Sequence, residues 1–548
     1  MMPGNKSEKK NIMIRSIPFL LLLQVLFVQL KAQQLLPYVT TPGAEKSKLY
    51  TLKVNGQDVL VEKFKDISYA RFAFSGTIKL EVKTSQGFTV YKLSPLSYQI
   101  PSQKNGNAIS FSLDKPRKLI LQLEGINEKL FVFADAPETN APLLKSKDVT
   151  NIMDFVKDNT GKTLQTKQVQ AAIDHVSAKG GTLYVPNGKY LTGTFVMRKN
   201  VTLYLESGAL IQGSGNLEDY HDNGDNSTGK VTYKKGALCY FDKAHNAHIR
   251  GRGVIAMSGT KIKTETDVKI RIFNIRSSNH SGIEDILIRD SGGFTVHIQN
   301  SDDVFMKGYK IVNDLTLPNE DGTDPDGCRN VIVDDVFMYT SDDAIAVKAD
   351  HQPCENILVK NCVFWTVKSA LKVGSDPAFG ARNIVFQNND IVHADRALAL
   401  YAAKGTIDGV KFIDNRSEVI GNNTKQQLIV FQIANFREFS DNIVRRGIGY
   451  IQNVEVINYT AYEKSKNHSL VSGTIGKDGT LYKVRNVLFK NLVIEGKLCL
   501  SAEDADIVLA PRQIPQDPNV EPKELKRIKD SITLAKPLMA VENIRFEK

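Results

Sequence analysis

One tryptophan, Trp365, and five cysteines are all that 548 residues hold of those two types. The cysteines (Cys239, Cys328, Cys354, Cys362 and Cys499) are odd in number and scattered, with no C-x-x-C pair. That pattern excludes a disulfide framework and argues against structural zinc. After residue 32 no apolar run approaches the roughly 20 residues of a membrane-spanning helix. No EF-type calcium loop occurs, and no leucine-rich consensus. Nor does charge of one sign dominate: 71 Lys and Arg oppose 60 Asp and Glu, a net +11. Such mild basicity fits an acidic polymer but implies no nucleic-acid partner.

The first 32 residues differ from the rest. KKNIMIR is a basic stretch, IPFLLLLQVLFVQL an apolar one, and LKA supplies a small residue before a cut after Ala32. We read 1–32 as a secretory signal, the alternative being an uncleaved anchor. The expected location is secreted or periplasmic, with no membrane contact after cleavage.

What is present is a repeat. Val304, Val331, Ile357, Ile384 and Val410 head similar segments at steps of 27, 26, 27 and 26. Looser copies lie at 200–208, 284–291, 485–494 and 542–548. Each unit is a short β-branched run, a polar turn and a second short run. One unit cannot bury its own apolar face, so neighbours must stack. Propeller blades need about 40 residues. The pattern therefore predicts an all-β chain built on a right-handed parallel β-helix over 149–548. Recurring Asn330, Asn356, Asn383 and Asn486 mark a turn where side-chain amides stack from coil to coil. Ahead of the repeat, 163–181 predicts a helix with an apolar stripe of Val169, Ala172, Ile173 and Val176, capping the open end of the stack. Residues 33–135, with alternating runs such as IKLEVKTS and LILQLEG, predict an antiparallel β-sandwich, joined by a linker at 136–148. The proline- and lysine-rich 510–530 predicts a polar excursion.

Acidic residues crowd at NEDGTDPD (319–326) and SDD (341–343). Strands of neighbouring coils lie about 4.8 Å apart, so the repeat acts as a ruler. Steps of 26 or 27 from Asp342–Asp343 reach Lys368–Ser369 and then Asp395–Arg396, and a step of 27 from Asp321 reaches Lys348. This predicts a charge-alternating strip along one face, suited to a linear polymer. Glycoside hydrolysis needs one carboxylic acid and one carboxylate, and crowding raises at least one pKa. Asp302, Asp303, Asp334, Asp335, Asp390 and Asp414 read as turn residues. Asp324 and Asp326 fit either a bracing or a substrate-facing role. Trp365 fits a sugar platform or the core equally, and His393 lies near the strip without a visible partner.

At these residues the chain resembles the polygalacturonases of glycoside hydrolase family 28. An Asn-Thr-Asp motif followed by an Asp-Asp motif is matched by Asn319, Asp321, Asp342 and Asp343, with Glu320 in place of Thr. The resemblance implies that Asp342 is the general acid, that Asp321 and Asp343 position and activate water, and that the reaction inverts without metal or other cofactor. Two family motifs are absent: Ser369 stands where Gly-His-Gly places its histidine, and RALALY (396–401) replaces Arg-Ile-Lys. The family 49 dextranases share the β-helix and three aspartates and carry a similar N-terminal sandwich.

The expectation is an inverting hydrolase of α-linked polysaccharide, first a pectic galacturonan, second a neutral glucan such as dextran. Substrate binding is assigned to Asn319, Lys348, Lys368, Lys372 and Arg396, and the protein is expected to act as a monomer. Rival readings are a calcium-dependent lyase using Lys368 or Lys372 as base, and a non-catalytic glycan-binding protein.

Overall fold

The computed structural model describes residue 1 and residues 34–222, 235–375, 377–421, 425–433, 449–475, 481–509 and 540–548. Beyond Met1 and the residues from 34 on, the segment read as a signal lies outside the described residues, as does 510–530.

From residue 149 onward the chain winds as a right-handed parallel β-helix with three sheets of 13, 12 and 11 strands among the described residues. The recurring valines and isoleucines stack as the ruler requires: Val331 pairs with Ile357, Ile357 with Ile384 and Ile384 with Val410. The next rung is Val454, hidden in the sequence because that coil takes 44 residues instead of about 27. The stacked aliphatics form one continuous buried core. Helix α1 (Thr166–Lys179) buries Val169, Ala172, Ile173 and Val176 on the first coil.

The asparagines form ladders. Asn356 donates through Nδ2 to Asn330 Oδ1 at 3.0 Å, and Asn383 to Asn356 at 2.6 Å. Asn486 and Asn543 extend a second run from Asn453. All have φ between +52° and +58°. Asparagine tolerates this left-handed backbone better than other non-glycine residues. One residue type therefore supplies both the sharp turn and the bond to the next coil. The aspartates assigned to turns are paired structurally as well, Asp302 with Arg329, Asp390 with Arg416 and Asp414 with Asn458.

Residues 34–135 form two sheets, one of seven strands and one of five. They are antiparallel except where Ile126–Asp135 runs parallel to Ile67–Ser75. Each of those strands has its hairpin partner on its other edge, so the sheet joins through its two middle strands. Both are buried on both faces. Ala70, Phe72, Phe74, Leu130 and Val132 face the sandwich core. The alternate residues Ile67, Tyr69, Phe131 and Phe133 pack on Leu210, Leu287, Phe337, Tyr339 and Trp365 from the outer face of the second β-helix sheet. Polar contacts seal the junction: Lys310 to Asp135 at 2.7 Å, Arg71 to the Arg252 carbonyl at 2.8 Å and Ser94 to Glu418 at 2.7 Å. With that sheet covered, the outer face of the third sheet is left for other work.

Candidate active site

The third sheet does not keep the 27-residue step where the acids lie. Residues 313–322 make a long turn before Thr323–Asp326, whereas 341–344 make a short one before Ile345–Val347. Thr323 consequently pairs with Ile345, a step of 22. The expected neighbour of Asp321 was Lys348; the register instead sets Asp321 beside Asp343, and Lys348 beside Asp326. The next coil makes up the difference in residues 348–353, so the overall period hides the slip. Gly322 is required at this point, because a Cβ there would meet the Ala344 carbonyl oxygen at 2.4 Å.

The slip brings the three acids together. One carboxylate oxygen from each of Asp321, Asp342 and Asp343 lies within 4.8 Å of the others. Asp321 and Asp343 are buried, and Asp342 is partly exposed. Asp342 Oδ1 accepts from the Asp343 N–H at 2.9 Å and Oδ2 from Asn319 Nδ2 at 3.4 Å. Asn319 sits at φ +65°, again a left-handed position. Asp343 accepts from the Ser369 N–H at 2.9 Å and from Lys372 at 2.5 Å, with Arg396 at 3.8 Å. Lys348 lies 3.7 Å from Asp321 and 3.3 Å from Asp324. Of the residues assigned to substrate, then, Lys348, Lys372 and Arg396 touch the acids themselves, Asn319 touches Asp342, and Lys368 lies one coil on with its field reaching Asp342. A cation seated among the three acids would have to compete with these ammonium and guanidinium groups.

The environments split the protonation states. Burial, with the Asp343 charge adding to it, raises Asp342. Burial and the charges of Asp324 and Asp342 raise Asp321. Burial acts on Asp343 too, but Lys372 and Arg396 outweigh it and hold this carboxyl well below the usual range. One acid that keeps its proton beside one that stays ionised is the pairing that general acid–base chemistry requires.

Asp324 is fully buried and pushed up to about 7 by burial, against the pull of Lys348. An unfolded Asp titrates near 3.9, so the folded chain holds this proton more tightly. The associated stability is complete below about pH 4 and is lost as pH rises through about 7. The melting temperature should therefore fall between about pH 5 and pH 8, and Asp324→Asn should flatten that slope. A variant with the wild-type slope would show that Asp324 is not the group responsible. Asp343 has the opposite sign: its contribution disappears only in strong acid.

Other expected site residues fall elsewhere. Trp365 stacks on His393 at 4.7 Å inside the interdomain cluster, with Lys129 over its ring; both are packing residues. Asp326 braces His297 at 3.2 Å and accepts from the Asp350 N–H. Ser369, where the family pattern has histidine, is buried and accepts from Arg396 Nε at 2.8 Å. Sequence reasoning missed Lys263, carried by α2 (Gly259–Thr266). GTKIKTET has no apolar stripe to announce a helix.

Residues 182–424 match the profile of the family described as glycosyl hydrolases family 28. A probable polygalacturonase of Vitis vinifera is 25% identical over 291 residues, covering 48% of this chain; the chain spans 59% of that relative's length. The family 28 exopolygalacturonase structure from Yersinia enterocolitica is 17% identical with a TM-score of 0.55, covering 84% of this chain and 92% of that one. Dex49A from Penicillium minioluteum is 11% identical with a TM-score of 0.58, covering 85% and 92%. At these identities the two structures establish a shared fold that takes in both domains. The matched stretch, residues 182–424, contains all three clustered carboxylates, so the site lies within the part of the chain that is similar to glycosyl hydrolases family 28.

Proposed function

We propose that this chain is a secreted or periplasmic glycoside hydrolase that cleaves an α-linked pectic glycan, first of all polygalacturonan, acting as a monomer. The observation that carries this reading is the convergence of Asp321, Asp342 and Asp343, with Asp342 biased towards its acid form and Asp343 towards its anion. Asp342, the partly exposed member of the three, protonates the departing glycosidic oxygen. Asp343, with Asp321, holds a water and takes its proton as the water attacks the anomeric carbon. Lys372 and Arg396 keep Asp343 ionised, and Asn319 orients Asp342.

Inversion is the outcome implied by the family resemblance. One oxygen of each acid lies within 4.8 Å of the others, a closer grouping than the roughly 6.5–9.5 Å between carboxyl groups of inverting enzymes and nearer the 5–5.5 Å of retaining ones. Stereochemistry is accordingly the sharper test. Proton NMR of the first product formed should show the anomer opposite to that of the substrate; a retained anomer would remove the water-activating role of Asp343.

A second reading, hydrolysis of a neutral α-glucan, draws on the engagement of Lys348, Lys372 and Arg396 with the acids rather than with open solvent. Reducing-sugar release from polygalacturonate, dextran and pullulan separates the two. Cleavage of dextran alone would overturn the pectic assignment.

A further inference from the structure

We infer that Lys263 is a positioning residue for this site, clamping the loop that carries Asn319 and Asp321 and supplying a positive charge behind Asp342. The inference rests on the proposed function for its kinetic readout only.

The lysine is placed with care for so polar a side chain. Helix α2 is tied to the coil behind it: Asp290 Oδ1 accepts from the Thr260 N–H at 3.1 Å and from Thr260 Oγ1 at 2.5 Å, and the Gly259 N–H donates to the Asp290 carbonyl at 3.0 Å. Ile262 enters the β-helix core, and Lys263 beside it is only 7% exposed. Its ammonium donates to the Pro318 carbonyl, one residue before Asn319 and three before Asp321. Burying an ammonium is costly unless it is paired and hydrogen-bonded.

The groups facing Lys263 are acidic on the site side: Glu320 and Asp321 from the loop and Asp342 from the next coil, with Lys269 following α2 as the opposing cation. Glu320 is fully buried, and neither of its oxygens accepts a hydrogen bond of good geometry. Its other charged neighbours, Asp290 and Asp314, are both acids. Both of those already have partners, Thr260 for one and Thr316 with Lys65 for the other. Lys263 pulls against the burial that pushes the Glu320 carboxyl well above its usual range, without outweighing it, and its direct hold on the loop is the Pro318 carbonyl. Asp342 itself faces Asp343, Lys372 and Lys368 as well, so Lys263 adds to an existing field.

The test compares Lys263→Met, Lys263→Gln and Lys263→Arg in the full chain. Removing a cation near an acid raises the pH at which that acid loses its proton. Lys263→Met and Lys263→Gln should therefore move the basic limb of the kcat profile to higher pH. They should also lower kcat about tenfold with KM little changed, as expected when an interaction serving the chemical step is lost. Lys263→Arg, which keeps charge and donor, should restore the limb. Superimposable profiles for wild type, Gln and Arg variants would overturn the inference, even if Lys263→Met fails to fold. Hydrogen exchange supplies a readout independent of turnover. Amides of the 313–322 turn, such as Leu317, should exchange at least about tenfold faster in Lys263→Gln, while the stacked strands stay protected. Unchanged exchange would also overturn it. A wild type inactive on every glycan would instead defeat the functional reading and leave the clamp to be judged by exchange.

Discussion

Asp342→Asn is expected to lower kcat by roughly 10²–10⁴-fold, the contribution of a positioned acid or base, with KM close to the wild-type value. Asparagine keeps the shape of the side chain and one oxygen to accept from the Asp343 N–H or Asn319, but it has no proton to give to a departing oxygen. Because Asp342 is crowded by Asp343 and largely shielded from water, an amide in place of its carboxyl should leave the melting temperature equal or higher. Asp343→Asn should differ in one respect. It takes the carboxylate from Lys372 and leaves Arg396 with Asp395 alone, stranding one partly buried ammonium, so it should lose both rate and stability. Kinetics and thermal melts on the two variants side by side separate the roles. Full activity in Asp342→Asn would remove its assignment as the acid.

Deleting residues 34–135 is expected to leave the remainder insoluble rather than to release an independent β-helix. The deletion uncovers Leu210, Val254, Leu287, Val312, Phe337, Tyr339, Val363, Trp365 and Val392, a contiguous apolar strip along the second sheet. Each large side chain is worth about 1.5–3 kcal/mol when buried, and a patch of this kind on free protein invites association. It also strands Lys310, whose ammonium pairs with Asp135. A milder probe is Phe337→Ala. This ring packs 4.9–5.0 Å from Phe133 and Phe131, and its loss should cost about 3–5 kcal/mol, read as a lowered unfolding midpoint. A soluble, cooperatively folding 136–548 fragment would show that the sandwich is an accessory module.

The coil repeat was legible because its signals are local. Period-two burial, β-branched runs and left-handed asparagines are properties of a few residues each, and a stack repeats them until they stand out. The sandwich was legible for the same reason, although its parallel pair was not: alternation shows that a strand has two faces and leaves its neighbour's direction open. Where a coil carried an insertion, as between Val410 and Val454, the ruler lost its place.

The acids were legible as a cluster and as a family motif, and Lys348 does reach Asp321, but the strand register between them differs from the one expected. A step of 27 put Lys348 over Asp321, whereas the long turn at 313–322 and the short one at 341–344 put Asp343 there. Trp365 fitted a sugar platform or the core equally, and His393 showed no partner; the sandwich packs on Trp365, and Trp365 stacks on His393. Lys263 carried no signal, since its role depends on a helix folding back across several coils.

The amino-acid order by itself determined that this chain coils, how often, and which turns are held by asparagine, since those follow from side-chain periodicity and backbone preference within a single repeat. Only the tertiary structure decided which carboxyl keeps its proton and which gives it up. That outcome is a sum of burial and charge over residues as far apart in the chain as Lys263 and Arg396, and no local pattern records such a sum.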